Sequence, residues 1–201
     1  MHNMPADFTL ELIRREGNAL APVLYEHIDA ADALRAQRLE GLSHSKHPLA
    51  HAQVRRAVLR EGLDEASLPN GWIVSGNTAQ SQIILRQPDL NMEMRLLAET
   101  RINPGRVPHA GHTSARQALW TPPLFTLESD TRRLLLLMDF HSSLPGLRIV
   151  RPVEQGRYGK TVQCDLAIDL LRNVDIVTGT FLGDEVEVDF FASVFQDQEE
   201  A

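Results

Sequence analysis

The stretch VQCDLAIDL, residues 162–170, decides the class of the fold because it alternates without a break. Its first residue is apolar, and so is every second residue after it, while the positions between are polar or small. Since successive side chains of a strand point to opposite faces of a sheet, this period of two predicts a strand with one buried face. Residues 186–194 alternate in the same way, with Glu187 outward and Glu185 just before them, and predict a further strand.

Five more segments, all between residues 72 and 153, have strand-like patterns. They are residues 72–75, 80–86, 92–98, 134–138 and 147–153. The sequence GNTA at 76–79 predicts a hairpin connection between the first two. The run LLLLM at 134–138 is typical of a central strand buried on both faces. Short connections between consecutive strands favour antiparallel pairing, so about seven strands in a meander or Greek key are expected.

Residues 7–66 have a helical pattern instead. A stripe with spacings of three and four predicts one helix that begins at Asn18, has Pro22 in its first turn and stops near Gly41. A second helix is expected to begin near Pro48, since proline suits the first helical turn. Its expected buried face consists of Ala50, Val54, Ala57 and Val58.

These patterns predict an α+β fold in which N-terminal helices pack on a mostly antiparallel sheet of about seven strands. Residues 1–70 form the helical region and residues 71–201 the sheet region, which we expect to make one integrated domain of ordinary size. The longest apolar run is only residues 134–138, and Cys164 is the single cysteine. No secretory signal, membrane span or intramolecular disulfide is therefore predicted, and the expected location is the reducing cytosol.

The segment 100–127, called the basic segment below, contains no Asp or Glu although the protein carries a net charge of −7. Its candidate residues for binding an anion or a partner are Arg101, Arg106, His109, His112, Arg116 and Trp120. A long irregular segment in a compact domain is often functional, and arginines next to a helix N-terminus make a sensible anion site. The alternative is an ordered connection whose arginines pair with acidic strand faces.

The C-terminal part of the chain has the opposite charge. After Arg172 no Lys or Arg follows, while eight acidic residues do. Glu185 and Glu187 are its candidate partner-binding residues, because an acidic strand face attracts a basic protein surface. The same charges also discourage edge-to-edge aggregation, or neutralise the basic segment within the chain or across a possible homodimer.

Three weaker patterns are interpreted as ordinary structural features. His44, His47 and His51 are interpreted as solvated residues at the start of a helix, and the zinc-protease motif is absent. Arg55, Arg56 and Arg60 are interpreted as an exposed helix face, with entry into a DNA groove as the alternative. His109 and His112 would need a third ligand such as Asp139 or His141 to hold a metal ion, so no metal or other cofactor is predicted.

No catalytic residue is predicted, because no nucleophile motif, phosphate loop or dinucleotide fingerprint occurs in the chain. The leading hypothesis is a non-catalytic intracellular binding or regulatory protein that engages a protein partner, possibly like an antitoxin or immunity protein. The alternative is an enzyme that acts on an anionic small molecule or nucleic acid through the basic segment, with His109 or His112 as acid or base. Nucleic-acid binding is not favoured for an acidic chain.

Overall fold

The computed structural model describes residues 6–100, 107–109, 132–140, 146–152 and 162–172. The elements in chain order are α1 (Ala6–Arg38), α2 (Pro48–Glu65), β1 (Ile73–Ser75), β2 (Ile84–Gln87), β3 (Met92–Ala98), β4 (Arg132–Asp139), β5 (Gly146–Pro152) and β6 (Cys164–Leu170). Two single-turn 3₁₀ helices, Pro69–Gly71 and Thr78–Gln80, flank β1. The predicted α+β class is confirmed, with six strands in the described part. The expected strand at 186–194 lies outside the described residues.

The strands lie in the sheet in the order in which they occur in the chain. All neighbouring pairs are antiparallel except β3 and β4, which run parallel, with Met92 opposite Arg132 and Ala98 opposite Met138. A parallel neighbour needs a long crossover connection, and the chain between Ala98 and Arg132 is long enough to supply one. Within the described residues, no helix has both the length and the apolarity needed to span a membrane.

Helix α1 begins much earlier than the sequence predicted. The expected start at Asn18 is wrong, because the helix runs unbroken from Ala6 and Asn18 lies inside it. Pro22 also lies inside and has no N–H to donate to the carbonyl of Asn18, four residues back. Buried contacts of Ile13 and Leu20 on either side of Asn18 outweigh that loss.

Helix α2 begins at Pro48 as predicted, with His47 as its N-cap. Its buried face is displaced from the expected one: Ala57 is exposed, while His51 and Arg55 are buried together with Val58. The prediction placed apolar residues inward and polar ones outward. His51 and Arg55 are exceptions to that rule, because hydrogen bonds offset the cost of burying their polar groups.

Both helices cover one face of the sheet and form the main core with it. Gly17 lets α1 approach β5 and β6 closely, since a Cβ at that position would lie 2.5 Å from Cδ1 of Ile149 and 2.9 Å from Cδ2 of Leu170. The hydroxyl of Tyr25 donates to the carbonyl oxygen of Leu170 at 2.7 Å and accepts the N–H of Leu147 at 2.9 Å. This tyrosine therefore fastens the middle of α1 to the ends of two strands.

A smaller apolar cluster lies on the opposite face of the sheet. It contains Val107, Leu135, Leu137, Val150 and Val162, so β4 is buried on both faces as its apolar run predicted. The five apolar positions of 162–170 do not share one face. Because the register shifts between Arg151 and Pro152, Cys164 packs with this smaller cluster, whereas Ile168 and Leu170 belong to the main core.

One buried carboxylate ties α1 to the turn before β1. Glu16 is 2% exposed, and its carboxylate accepts hydrogen bonds from Nε1 of Trp72 and Nδ2 of Asn70, both at 3.1 Å. Burial alone would raise the pKa of Glu16, but these hydrogen bonds and the charge of Arg15 outweigh it, so the pKa lies below its ordinary value. Asn70 has a positive φ of 54°, which asparagine tolerates better than most residues.

Candidate functional site

Only one of the eight predicted site residues lies in the described part of the chain. His109 is exposed, next to the buried Val107. The other seven lie outside the described residues, and their proposed roles stay predictions. They are Arg101, Arg106, His112, Arg116, Trp120, Glu185 and Glu187.

The arginines of α2 are not one exposed face, which corrects the interpretation made from sequence. Arg55 and Arg60 are 8% and 7% exposed, and only Arg56 is exposed to solvent. Arg60 donates from Nη1 to the carbonyl oxygens of Ser75 (2.7 Å) and Gln82, and from Nε to Asp64 at 2.7 Å. It therefore fixes the connection between β1 and β2 against α2.

Arg55 belongs to a polar group that joins the two helices, which we call the hairpin network (Asp32, Arg35, His51 and Arg55). Asp32 accepts hydrogen bonds from Nε of Arg55 and, at 3.2 Å, from Nε of Arg35. Burial lowers the pKa of Arg55, and the neighbouring Asp32 opposes that shift. The guanidinium carbon of Arg55 also lies 4.0 Å from the ring centre of Phe140, a cation–π contact.

His51 is buried and structural, so its interpretation as a solvated histidine is wrong. Nη1 of Arg35 lies 2.9 Å from Nδ1 of His51, and the Nε2 atom lies 3.0 Å from the carbonyl oxygen of Leu42. Because an arginine only donates, Nδ1 accepts and Nε2 carries the proton, which defines a neutral ring with both nitrogens engaged.

His44 stands beside this ring and is exposed. Its ring centre lies 4.9 Å from that of His51. The loss of some hydration, followed by the nearby positive charges of Arg35 and Arg55, lowers the pKa of His44. Within the described ranges, no three His, Cys, Asp or Glu side chains are grouped as metal ligands would be.

A cavity of about 210 Å³ lies between α2, the turn at 78–83 and the ends of β3 and β4. We call it the helix–sheet pocket. Its apolar surface comes from Leu59, Ile83, Leu96, Met138 and Phe140. Arg56 and Arg95 supply its charges, and none of the described residues that line it is an aspartate, a glutamate, a histidine or a cysteine.

The helix–sheet pocket lies beyond the point at which β2 stops pairing with β3. Strand β2 pairs with β3 only as far as Ile84 opposite Arg95, and one further hydrogen bond joins the Leu96 N–H to Ile83. Leu96 and Leu97 point to opposite faces of the sheet, yet both line the pocket. The pocket therefore lies at the end of β3, beyond its last residue pair with β2.

The charged residues among the described lining of the helix–sheet pocket are both arginines, in a protein whose net charge is −7. Arg56 is exposed, and in the described part of the chain no carboxylate lies within ion-pair distance of it. Arg95 is partly buried on β3. An arginine guanidinium presents a planar fork of donors that matches a carboxylate, so the exposed Arg56 favours an anionic group at this side of the pocket.

The walls of the pocket are held in place before any ligand arrives. Arg55 stacks on Phe140, and Arg60 binds the carbonyl oxygen of Gln82. The turn on the other side needs unusual backbone angles: Gly76 has φ 106°, and a Cβ there would lie 2.7 Å from the Gln82 oxygen. A preorganised wall reduces the entropy lost on binding.

A second polar group lies on the sheet face that the helices leave uncovered. Glu99 directly follows β3 and Asp139 is the last residue of β4, so both lie at the carboxyl ends of these parallel strands, and they are 7% and 8% exposed. Nη1 of Arg148 lies 4.0 Å from Glu99, and its Nε donates to Asp169 at 2.5 Å. The hydrogen bond with Asp169, then the charges of Glu99 and Asp139, raise the pKa of Arg148.

Sequence reasoning missed the helix–sheet pocket because its residues carry ordinary patterns. Arg95 alternates outward on a half-buried strand, and Arg56 sits between two arginines that prove to be buried. The sequence offered no signal for it, since the predicted strands 80–86 and 92–98 have equal lengths, and only the structure shows that β2 is shorter than β3. No family model, curated protein or solved structure matches this chain. Its function has to be argued from the residues themselves.

Proposed function

We propose that this chain is a non-catalytic binding or regulatory protein that engages a protein partner, anchored in the helix–sheet pocket. The observation that carries the proposal is the combination of an apolar floor with the exposed Arg56, beyond the last residue pair of β2 and β3. Specific binding sites are concave and mostly apolar, with a few placed polar groups that fix orientation. This pocket has that composition.

The size of the pocket favours a single anchoring side chain over a whole small molecule. Sites for drug-sized ligands measure about 300–1,000 Å³, whereas a cavity of about 150 Å³ holds one benzene ring. At about 210 Å³, the helix–sheet pocket has room for one apolar side chain. Protein interfaces obtain most of their energy from a few such anchors.

The lining supports binding rather than catalysis at this place. Ser81 is the only hydroxyl side chain among the described residues that line the pocket, and no base stands among them to activate it. A partner that carries basic groups elsewhere would also meet the acidic C-terminal residues Glu185 and Glu187. That second contact is the antitoxin- or immunity-like form of the proposal.

The test is a comparison of captured partners. The full chain, its Arg56→Glu variant and the control Arg38→Glu are immobilised, and bound proteins from nuclease-treated host lysate are quantified. Arg38 is also an exposed helical arginine and lies outside the pocket, so it controls for charge. We expect one stoichiometric partner on the wild type and on Arg38→Glu, and its loss on Arg56→Glu. Retention on a correctly folded Arg56→Glu variant would reject the pocket as the anchor.

One observation favours a second candidate function, an enzyme acting on an anionic small molecule or nucleic acid. Glu99 and Asp139 are adjacent buried carboxylates, and paired carboxylates near an arginine are common in acid–base chemistry. Turnover of a panel of phosphate esters and oligonucleotides that is lost in both Glu99→Gln and the double variant Arg106→Ala, His109→Ala would support it. The absence of turnover in the wild type would leave the binding proposal alone.

A further inference from the structure

We propose that the hairpin network is a pH-sensitive switch, in which protonation of the His51 ring releases Arg35 and loosens the contact between α1 and α2. This inference goes beyond the proposed partner binding, because the switch operates in the free chain. Three observations carry it: the hydrogen bonds of the buried His51 ring, the charges that surround the ring, and the contact of Arg55 with Phe140.

The hydrogen bonds of His51 require a neutral ring. Nδ1 accepts from Nη1 of Arg35 at 2.9 Å, and Nε2 donates to the carbonyl oxygen of Leu42 at 3.0 Å. A guanidinium has donors but no acceptor, so a proton on Nδ1 would place two N–H groups against each other. The hydrogen bond between Arg35 and His51 therefore cannot survive protonation of the ring, whereas the bond to Leu42 can.

Protonation would also upset the charge balance of the hairpin network. Asp32 is its one carboxylate and already accepts hydrogen bonds from Nε of both Arg35 and Arg55. The side chains of these two arginines are 17% and 9% exposed, so solvent screens their charges less than it would on the surface. A charged His51 would add a third cation beside a single anion.

The titratable and charged groups around His51 come from both helices and from their connection. They are Asp32 and Arg35 of α1, Arg55 of α2 and His44 of the connection, whose ring centre lies 4.9 Å from that of His51. The pKa of His44 is lowered, first by lost hydration and then by nearby charges that include Arg35 and Arg55. The two arginines therefore oppose a positive charge on a ring at this place.

Arg55 extends the hairpin network to the helix–sheet pocket. Its guanidinium carbon lies 4.0 Å from the ring centre of Phe140, which lines that pocket. Arg35 and Arg55 share the carboxylate of Asp32, so a movement of Arg35 changes the partner that holds Arg55. Protonation of His51 should therefore change the surroundings of Phe140 as well as the contact between the helices.

The experiment is an NMR titration of the purified full chain, labelled with ¹⁵N and ¹³C, from about pH 8 to about pH 5, the range in which histidines titrate. At the upper end we expect the His51 ring to carry its proton on Nε2. On acidification the ring of His51, Nε–H of Arg35 and the ring of Phe140 should shift with one common midpoint.

Two variants at neighbouring rings locate the proton. His51→Gln keeps a hydrogen-bonding side chain that does not titrate in this range, so the shift of Phe140 should disappear. His44→Gln is the matched control, since it removes the adjacent exposed ring, and the shift should remain. A shift that persists in His51→Gln and is lost in His44→Gln would assign the proton to His44 and overturn the inference.

Arg35→Gln tests the conflict between donors without changing His51. A glutamine amide can accept as well as donate and carries no charge, so the common midpoint should move to higher pH. An unchanged midpoint would show that Arg35 does not oppose the proton. The wild type alone also decides: if the ring of His51 titrates while the signals of Arg35 and Phe140 stay in place, or if it takes up no proton in this range, the hairpin network is not a switch.

Discussion

Arg55 and Arg56 are neighbours in sequence and lie about 100° apart around α2, one buried and the other exposed. Arg55 stacks on Phe140 and pairs with Asp32, so its charge and its donors are used inside the protein. Arg56 lines the helix–sheet pocket, with no carboxylate in ion-pair distance among the described residues. This difference shows that the role of a charged side chain on a helix depends on the groups it contacts and not on its residue type.

The strongest test of this contrast is Arg55→Ala. We expect it to lower the free energy of unfolding by about 2–3 kcal/mol, because it leaves the partly buried Asp32 with one arginine fewer and uncovers Phe140. Urea unfolding followed by circular dichroism measures the change. An effect no larger than that of Arg56→Ala would show that the buried Arg55 contributes no more to stability than the exposed Arg56.

Arg60→Ala extends the comparison to the other buried arginine. Two carbonyl oxygens, those of Ser75 and Gln82, lose a charged donor, so we expect a loss of about 2 kcal/mol. The β1–β2 connection should also open, which hydrogen exchange at the amide of Ser81 would detect. If that amide stays as protected as in the wild type, Arg60 does not hold the turn.

Glu16 extends the comparison of buried charged residues to a carboxylate. Unlike an arginine, a carboxylate changes its protonation within a pH range that experiments can reach. Its pKa in the folded protein is lowered from the ordinary 4.5, so it contributes stability that is complete above 4.5 and is lost as the pH falls through the folded value. We expect the wild type to lose about 1 kcal/mol more than Glu16→Gln between neutral pH and the acid side of this range. Parallel pH profiles for the two proteins would contradict this assignment.

The smallest expected change in stability belongs to Arg56→Gln. An exposed arginine with no hydrogen-bond or ion-pair partner among the described residues should alter the free energy of unfolding by less than about 0.5 kcal/mol. The same urea titration measures it. A clear destabilisation would show that Arg56 has a structural role, and the pocket proposal would then need another charged residue.

The class of the fold was predictable because it depends on the spacing of apolar residues, which can be read directly from the sequence. The alternation at 92–98 and the apolar run at 134–138 both became strands of the expected burial, and Pro48 marked the start of α2. The start of α1 predicted at Asn18 was wrong because the capping tendency of asparagine is a local property. The buried contacts of Ile13 and Leu20, which override it, are tertiary contacts.

The candidate site was not predictable, for two physical reasons. Buried polar residues such as His51 look the same in sequence as exposed ones, since only their partners Arg35 and the Leu42 carbonyl distinguish them. The pocket itself arises where β2 stops before β3 does, and strand ends are not encoded by periodicity. The basic segment drew attention by composition, but its arginines lie outside the described residues.

The parallel pairing of β3 with β4 has a consequence for how the protein folds during synthesis. The other strand pairs join neighbouring parts of the chain, such as Ile84 with Arg95, whereas this pair joins Met92 to Arg132. Its closure entropy has to be overcome before its contacts stabilise the fold, so it should form late. Until β4 leaves the ribosome, the side of β3 that will receive it is an unpaired edge in the nascent chain. That interval is when aggregation is most probable, and when a chaperone would help most.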